Sequence, residues 1–321
     1  MNNQISIVII SWNAKKYLKE CLHSVYKNTR NLSIETIVVD NASSDGTLEM
    51  IELEFPRVHL IKNTQNAGYA SGNNTALKFI LNQRTSAFVL LLNQDTELKG
   101  QAVEKMKTYL MDNPEVGAVG PALVLPNTRL QTGAAGYLPS ALTGLNYFLF
   151  LSKLFPRKKG LFIDQSYFVR KKKPVDVDWI SGACLMTRLD VIENVGLLDE
   201  TYLFTVEDID WGKRIKQAGY ALHYLPGISV LHHHGTSHRE TLVRINTEWL
   251  SMLFLYLQRE KGILQYFIFR FFAICGFFLR FLVYSFAAFF SKDSCYKIKR
   301  KEMFRYLAAA LSRKEVGSTE I

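Results

Sequence analysis

The residues of this 321-residue chain best suited to chemistry are a handful of acids and a histidine triplet. Asp40 closes the run E-T-I-V-V-D, and Asp95 follows A-F-V-L-L-L-N-Q, so each acid stands at the carboxyl end of a candidate strand. An acid in that position can hold a divalent cation against a diphosphate, because hard cations take oxygen ligands and offset phosphate charge. It can equally cap the helix that follows. Asp40 has two comparable roles open: accepting a hydrogen bond from a pyrimidine ring N–H, or capping its own turn through Ser43. Further on, Glu207, Asp208 and Asp210 put three acids within four residues where an irregular segment enters a helix. The positive end of the helix dipole stabilises an acid there, but three exceed what capping needs. His232, His233 and His234 read as a surface turn with one functional member.

The elements that must position these groups are legible from periodicity. Six apolar residues before Asn93 show no polar alternation, as expected for a strand buried on both faces at the centre of a parallel sheet. Ile5 to Ser11 is a second such strand, with Asn13 just beyond its carboxyl end, and Glu35 to Asp40 a third. Leu18, Cys21, Leu22 and Val25 recur at helical spacing, predicting a helix over Lys15–Asn28. A helix through Leu48 and Ile51 and a short strand Val58–Ile61 complete an alternating pattern, that of a doubly wound α/β sheet. Right-handed crossovers bring the strand ends carrying Asn13, Asp40 and Asp95 to one edge. Asn63 to Asn74 is a Gly-Asn loop, whose Gly68 and Gly72 allow close backbone approach to a ligand. No G-x-G-x-x-G or Walker loop follows any strand, which argues against a dinucleotide site or a P-loop.

The runs I-V-I-I-S-W-N, I-V-V-D-N-A-S-S-D-G-T, N-A-G-Y-A-S-G-N-N and L-L-L-N-Q-D-T-E together resemble glycosyltransferase family two, in particular its bacterial rhamnosyltransferase-like branch. W-I-S-G-A at 179–183 and F-T-V-E-D-I-D-W at 204–211 extend the resemblance to about the first 240 residues. The resemblance implies a GT-A fold, a nucleotide-sugar donor, Mg2+ or Mn2+, and inversion at the anomeric carbon. It implies Asp208 as general base with Glu207 in support, Asp210 being the next candidate. It implies donor contacts from Asn13, Asp40, Asn41, Asn66, Gly68, Asn74, Asn93, Asp95, Trp179, Gly182 and Ala183. Asp95 and a histidine are the implied metal ligands, His232 being chosen because its spacing to Ser237 fits the family pattern. Where the family often has a first Asp in its metal motif, this chain has Asn93, a poorer anionic ligand.

A formal charge of +10 favours an anionic partner, and without a recognition motif nucleic acid is not expected. Four scattered cysteines indicate neither a zinc site nor a disulfide framework, and suggest a reducing compartment. The apolar run Ile5–Ile10 is too short for a secretory signal. In Ile263–Phe290, Arg270 and Arg280 interrupt every run of the roughly 20 apolar residues a spanning helix needs. Tyr266, Arg270, Ala273, Phe277, Arg280, Tyr284, Ala287 and Ser291 form one helical stripe. The expectation is an interfacial helix with its apolar face down and its arginines towards lipid phosphates, aided by basic residues at 297–301. The basic clusters at 157–159 and 170–173 are read as contacts to acidic lipid or a lipid-linked diphosphate.

The expected organisation is a catalytic domain over 1–240, with donor half 1–125 and acceptor half 126–240, and a helical membrane-associating tail over 241–321. The expected protein is an inverting glycosyltransferase at the cytoplasmic face of the membrane, peripheral or monotopic. It would move a sugar, first rhamnose from dTDP-rhamnose, to a polyprenyl-diphosphate-linked saccharide in cell-surface polysaccharide synthesis. UDP-galactofuranose or a UDP-hexose as donor, and a catalytically silent membrane-bound scaffold, are the alternatives. A sugar nucleotidylyltransferase is disfavoured because S-W-N-A-K-K-Y after the first strand has no glycine. An oligomer is compatible with the sequence.

Overall fold

The computed structural model describes residues 4–202, 206–233, 242–291 and 293–312. β1 (Ile5–Ser11), α1 (Lys15–Asn28), β2 (Ile34–Asn41), α2 (Thr47–Glu54), β3 (His59–Asn63), α3 (Gly68–Gln83) and β4 (Phe88–Asn93) alternate as their periodicity requires. β5 (Thr96–Glu97), α4 (Ala102–Asp112), β6 (Val116–Val124) and β7 (Ala135–Gly136) follow. Then come α5 (Ala141–Phe148), α6 (Leu151–Leu154), α7 (Gln165–Lys171), β8 (Val175–Val177) and β9 (Trp179–Ile180). Next are β10 (Cys184–Arg188), α8 (Leu189–Val195), α9 (Glu207–Gln217) and β11 (Ala221–His232). Three long helices close the chain: α10 (Leu242–Glu260), α11 (Gly262–Phe290) and α12 (Ser294–Leu311).

The chain forms two compact units, one of Met1–Gly136 with Asp164–Arg239 and one of Tyr137–Ile163 with Glu240–Ile321. The first holds a mixed sheet in the order β3-β2-β1-β4-β10-β6-β11-β5, with β8 added to β11. β1 runs parallel to β2 and β4. β4 is buried from Phe88 to Leu92, as its unbroken apolar run demands, but the sheet around it is not wholly parallel. On its other side it meets β10, which runs antiparallel. Periodicity reads which faces a strand buries and is blind to its direction, so this half of the sheet was not legible. The register aligns Ser11 with Asp40 and Ile10 with Asn93, bringing three carboxyl ends to one edge. α3 lies close on that edge because residue 72 is glycine: a Cβ there would come 2.8 Å from Ile10 Cγ2.

In the second unit α5 begins with a capping box, Ser140 and Thr143 each accepting the other's backbone N–H. α11 packs on α5 through two glycines, since a Cβ on Gly144 would meet the Phe269 ring at 2.5 Å and one on Gly276 the Phe148 backbone at 2.7 Å. The arginine–tyrosine stripe of α11 turns inward, contrary to the expectation that it faces lipid phosphates. Tyr266, Ala273 and Phe277 are buried, and both arginines bond the carboxyl ends of other helices. Arg270 Nε donates to Ala310 O at 2.8 Å, and a second nitrogen to Ser312 O at 2.7 Å, closing α12. Arg280 donates to Phe148 O at 2.9 Å and Tyr147 O at 3.2 Å, closing α5, with its guanidinium 4.0 Å from the Phe150 ring centroid. Carbonyls at a helix carboxyl end lack intrahelical donors and carry the negative end of the dipole, so a cation is at home there even when half-buried. The off-stripe residues Phe267, Phe271, Phe278, Leu282, Phe286 and Phe290 are exposed instead. At 29 residues α11 is long and apolar enough to cross a bilayer by length and composition.

Candidate active site

At the edge beyond β1 and β2, Asn13 takes a left-handed conformation with φ 45°. Its side-chain oxygen accepts from Ser44 N at 2.8 Å, and its backbone N–H donates to Ser43 Oγ at 2.9 Å, tying the loop after β2 to the end of β1. Asp40 is buried. One carboxylate oxygen accepts from Ser43 N at 2.8 Å, which is the capping role, while Oδ1 is buried with no hydrogen-bond partner among the described residues. A buried carboxylate oxygen without a donor is costly, so this atom is available to a ligand N–H.

Several asparagines expected at the donor act here as braces. Asn41 accepts from Asn63 Nδ2 at 2.8 Å and donates to Gly68 O at 3.1 Å and Asn66 Oδ1 at 3.3 Å, while Asn66 Oδ1 takes the Gly68 N–H at 3.0 Å. The network fixes the turn at Gly68, whose φ of 81° is what requires glycine, since a Cβ there would meet nothing within 4 Å. Asn74 is buried inside α3 and spends its whole amide on scaffold. It donates to Leu198 O at 2.9 Å and Glu200 Oε1 at 2.8 Å, and accepts from Leu198 N at 3.0 Å.

Asp95 and His232 come together, both buried, because β5 pairs antiparallel with the end of β11 and sets Thr96 opposite His232. His232 Nε2 stands 3.1 Å from Asp95 Oδ1 and 3.3 Å from Asn93 Nδ2. Two donor atoms bound at right angles to an octahedral ion, each about 2.1 Å away, sit about 3 Å apart, so the pair fits a Mg2+- or Mn2+-sized cation. Asn93 takes no anionic part in this site. Its amide points at the imidazole. His233 turns elsewhere, its Nε2 2.6 Å from Glu97 Oε1 and its ring against Tyr17, with the Glu20 carboxylate also near. His234 and the residues to Ser237 lie outside the described residues, as do Leu203, Phe204 and Thr205.

A second group of site residues is built where β10 meets β4. Asn93 N donates to Ala183 O at 3.0 Å, placing the W-I-S-G-A turn against the end of β4. Gly182 N donates to Asp208 Oδ2 at 2.8 Å, and Tyr69 Oη donates to Gly182 O at 2.9 Å. A Cβ on Gly182 would fall 2.7 Å from Asp208 Oδ1 and closer still to Tyr69, so only glycine fits. Gly212 does the same for the backbone at Asp178 and Trp179, letting α9 close on β9, and Trp179 is buried there. Asp208 Oδ1 is buried with no hydrogen-bond partner among the described residues. Burial raises the Asp208 carboxyl to about 7, partly opposed by the Gly182 N–H. Burial, then the charges of Asp208 and Glu207, push the Tyr69 phenol up. Glu207 is buried beside Asp208 in the first turn of α9. Asp210, the next candidate, pairs with Arg214 at 2.7 Å.

Residues 6–176, more than half of the chain, match glycosyl transferase family 2. The chain belongs to that family. It is 26% identical over 242 residues to the N-acetylglucosaminyl-diphospho-decaprenol L-rhamnosyltransferase of Mycobacterium tuberculosis, covering 73% of this chain and 77% of the relative. It is 23% identical over 232 residues to the dTDP-rhamnosyl transferase RfbF of Shigella flexneri, covering 72% and 70%. The fold is that of a Pyrobaculum calidifontis mannosyltransferase solved with GDP-Man and Mn2+, at TM-score 0.60 and 18% identity over 95% of this chain and 85% of that one. This family-two glycosyltransferase thus has the expected GT-A fold, with rhamnosyltransferases among its relatives. Two residues of its site were not singled out from sequence. Tyr69 lies within the run N-A-G-Y-A-S-G, where it could have been found; Gln131, which touches His232, carries no local signal.

Proposed function

We propose that the protein is a metal-dependent, inverting glycosyltransferase that moves a deoxyhexose, first rhamnose from dTDP-rhamnose, onto a polyprenyl-diphosphate-linked saccharide. The observation that carries the reading is the setting of Asp208: a buried carboxyl held by one oxygen on Gly182 N–H and open at the other, which burial raises to about 7. A group of that pKa takes a proton from a hydroxyl at neutral pH and is regenerated by solvent. Asp95 and His232 would hold the divalent cation, which offsets charge on the leaving diphosphate. The open oxygen of Asp40 suits the ring N–H of a thymine or uracil base, and Asn13, Asn41 and Asn66 keep the surrounding loops in place. Direct displacement by the acceptor oxygen, with Asp208 taking its proton, inverts the anomeric centre and leaves no covalent enzyme intermediate. Glu207 is assigned to orienting the acceptor hydroxyl.

A lipid-linked acceptor is supported by the name of the mycobacterial relative and by the exposed apolar side of α11. That side, with the basic residues near the start of α12, would rest on the anionic cytoplasmic face of the membrane. The test is nucleoside diphosphate release from a panel of dTDP-, UDP- and GDP-sugars with Mg2+ or Mn2+ and a polyprenyl-diphosphate saccharide acceptor. Release with dTDP-rhamnose above all others supports the reading. Release with a UDP-hexose alone moves the donor, and no release with any donor leaves a silent scaffold.

A further inference from the structure

Behind His232 lies a buried chain of polar side chains that bears on which imidazole nitrogen can bind a cation. Gln131 Oε1 lies 2.6 Å from His232 Nδ1, and both residues are buried. An amide oxygen only accepts, so His232 Nδ1 carries the proton and donates. On the other side of the ring, Asn93 Nδ2 lies 3.3 Å from Nε2, and an amide nitrogen only donates. Gln131 and Asn93 thus favour a proton on Nδ1, while Asp95 Oδ1, an acceptor 3.1 Å from Nε2, calls for a proton or a cation between the two, and a cation there is compatible with the Nδ1–H tautomer.

Gln131 is itself fixed from behind. Its backbone carbonyl accepts from the Gln165 side-chain amide, and Gln165 Oε1 in turn accepts from Tyr224 Oη at 2.9 Å. Gln165 and Tyr224 are buried too, so the orientation of the segment is set by a polar chain shielded from water. We propose that Gln131 is a positioning residue for the cation site, holding His232 as the Nδ1–H tautomer so that Nε2 can ligate together with Asp95. The proposal rests on His232 being a ligand. Its chemistry is that of outer-shell partners in general, which fix ring orientation and tautomer and whose loss costs about 10–100-fold in metal affinity.

The experiment measures Mn2+ affinity in the presence of dTDP by calorimetry and by the signal of free Mn2+ in electron paramagnetic resonance. Gln131→Leu removes the acceptor at similar volume, and a 10–100-fold weaker Mn2+ affinity is expected, with restoration in Gln131→Glu, whose carboxylate accepts the same proton. In a His232→Ala background Gln131→Leu should add no further loss. His233→Ala, off the site, should bind as wild type. If His232→Ala itself binds Mn2+ normally, the ligand reading fails. If His232→Ala weakens binding but Gln131→Leu does not, or Gln131→Glu fails to restore it, the positioning role is overturned. Should Gln131→Leu not fold, 15N spectra of the wild-type imidazoles decide: a protonated Nδ1 on His232 is expected, and a protonated Nε2 with bare Nδ1 overturns the proposal.

Discussion

Both units take charge out of open solvent, half-buried arginines in one and a buried carboxyl in the other, and they do so to opposite ends. In the helical unit Arg270 and Arg280 turn into the protein, where the carbonyls closing α12 and α5 receive them. In the catalytic unit Asp208 is buried with one oxygen held by Gly182 N–H and the other open, and its carboxyl sits near 7. A charge whose bonding capacity is met inside the fold is tolerated there, and removing its partners is what costs stability. One left with an open valence strains the fold, and is retained here at the edge of the sheet where strand ends converge. Asp210, within one helix turn of Asp208, differs from it in being paired, with Arg214 at 2.7 Å.

The contrast can be broken at either end. Asp208→Asn should cut turnover by roughly 10²–10⁴-fold while leaving donor affinity intact, as measured by steady-state kinetics and nucleotide titration. The same variant should stabilise the fold at high pH. The native carboxyl is raised from 3.8, so the protonated form favours folding below pH 4, and that advantage fades as pH rises to about 7. Wild type should therefore melt below Asp208→Asn at pH 8 and the gap should close towards pH 4. Asp95→Ala should abolish Mn2+-dependent donor binding, and calorimetry showing unchanged affinity would remove Asp95 from the cation site. Arg280→Leu should cost about 1–3 kcal/mol in denaturant unfolding, because the carbonyls ending α5 lose their donor; no loss would make the arginine a surface group after all. Phe271→Ser with Phe286→Ser should change stability least, by about 0.5 kcal/mol or less, yet lower partition into anionic vesicles. Equal partition would take the membrane role from this face of α11.

Much of this was legible because strand ends are. The unbroken runs before Asp40 and Asn93 mark strands buried on both faces, and the alternation with helices points to their parallel pairing with β1; their register is not legible, because a strand apolar on both faces can slip by one residue without exposing its side chains. The roles of the asparagines were not legible: an amide both donates and accepts, so Asn41, Asn66 and Asn74 make equally good ligands or braces until their partners are seen. Helical spacing found the arginine stripe but not its direction, since two cations mark a wet face unless a helix end waits to receive them. Residues 137–163 pack with the tail, although nothing in their loose pattern of aromatics and basic residues points there. Gln131 stands 101 positions from His232, and no local pattern links residues so far apart.

The most direct test of the central claim is the pH dependence of single-turnover sugar transfer at saturating donor and Mn2+, in wild type and in Asp208→Asn. In wild type the rate should rise tenfold per pH unit and level off with a midpoint near 7, the value burial gives the Asp208 carboxyl. Asp208→Asn should be slow at every pH, with that midpoint gone. A wild-type rate that ignores pH, or the same midpoint persisting in a well-folded Asp208→Asn, would contradict the assignment of Asp208 as the base.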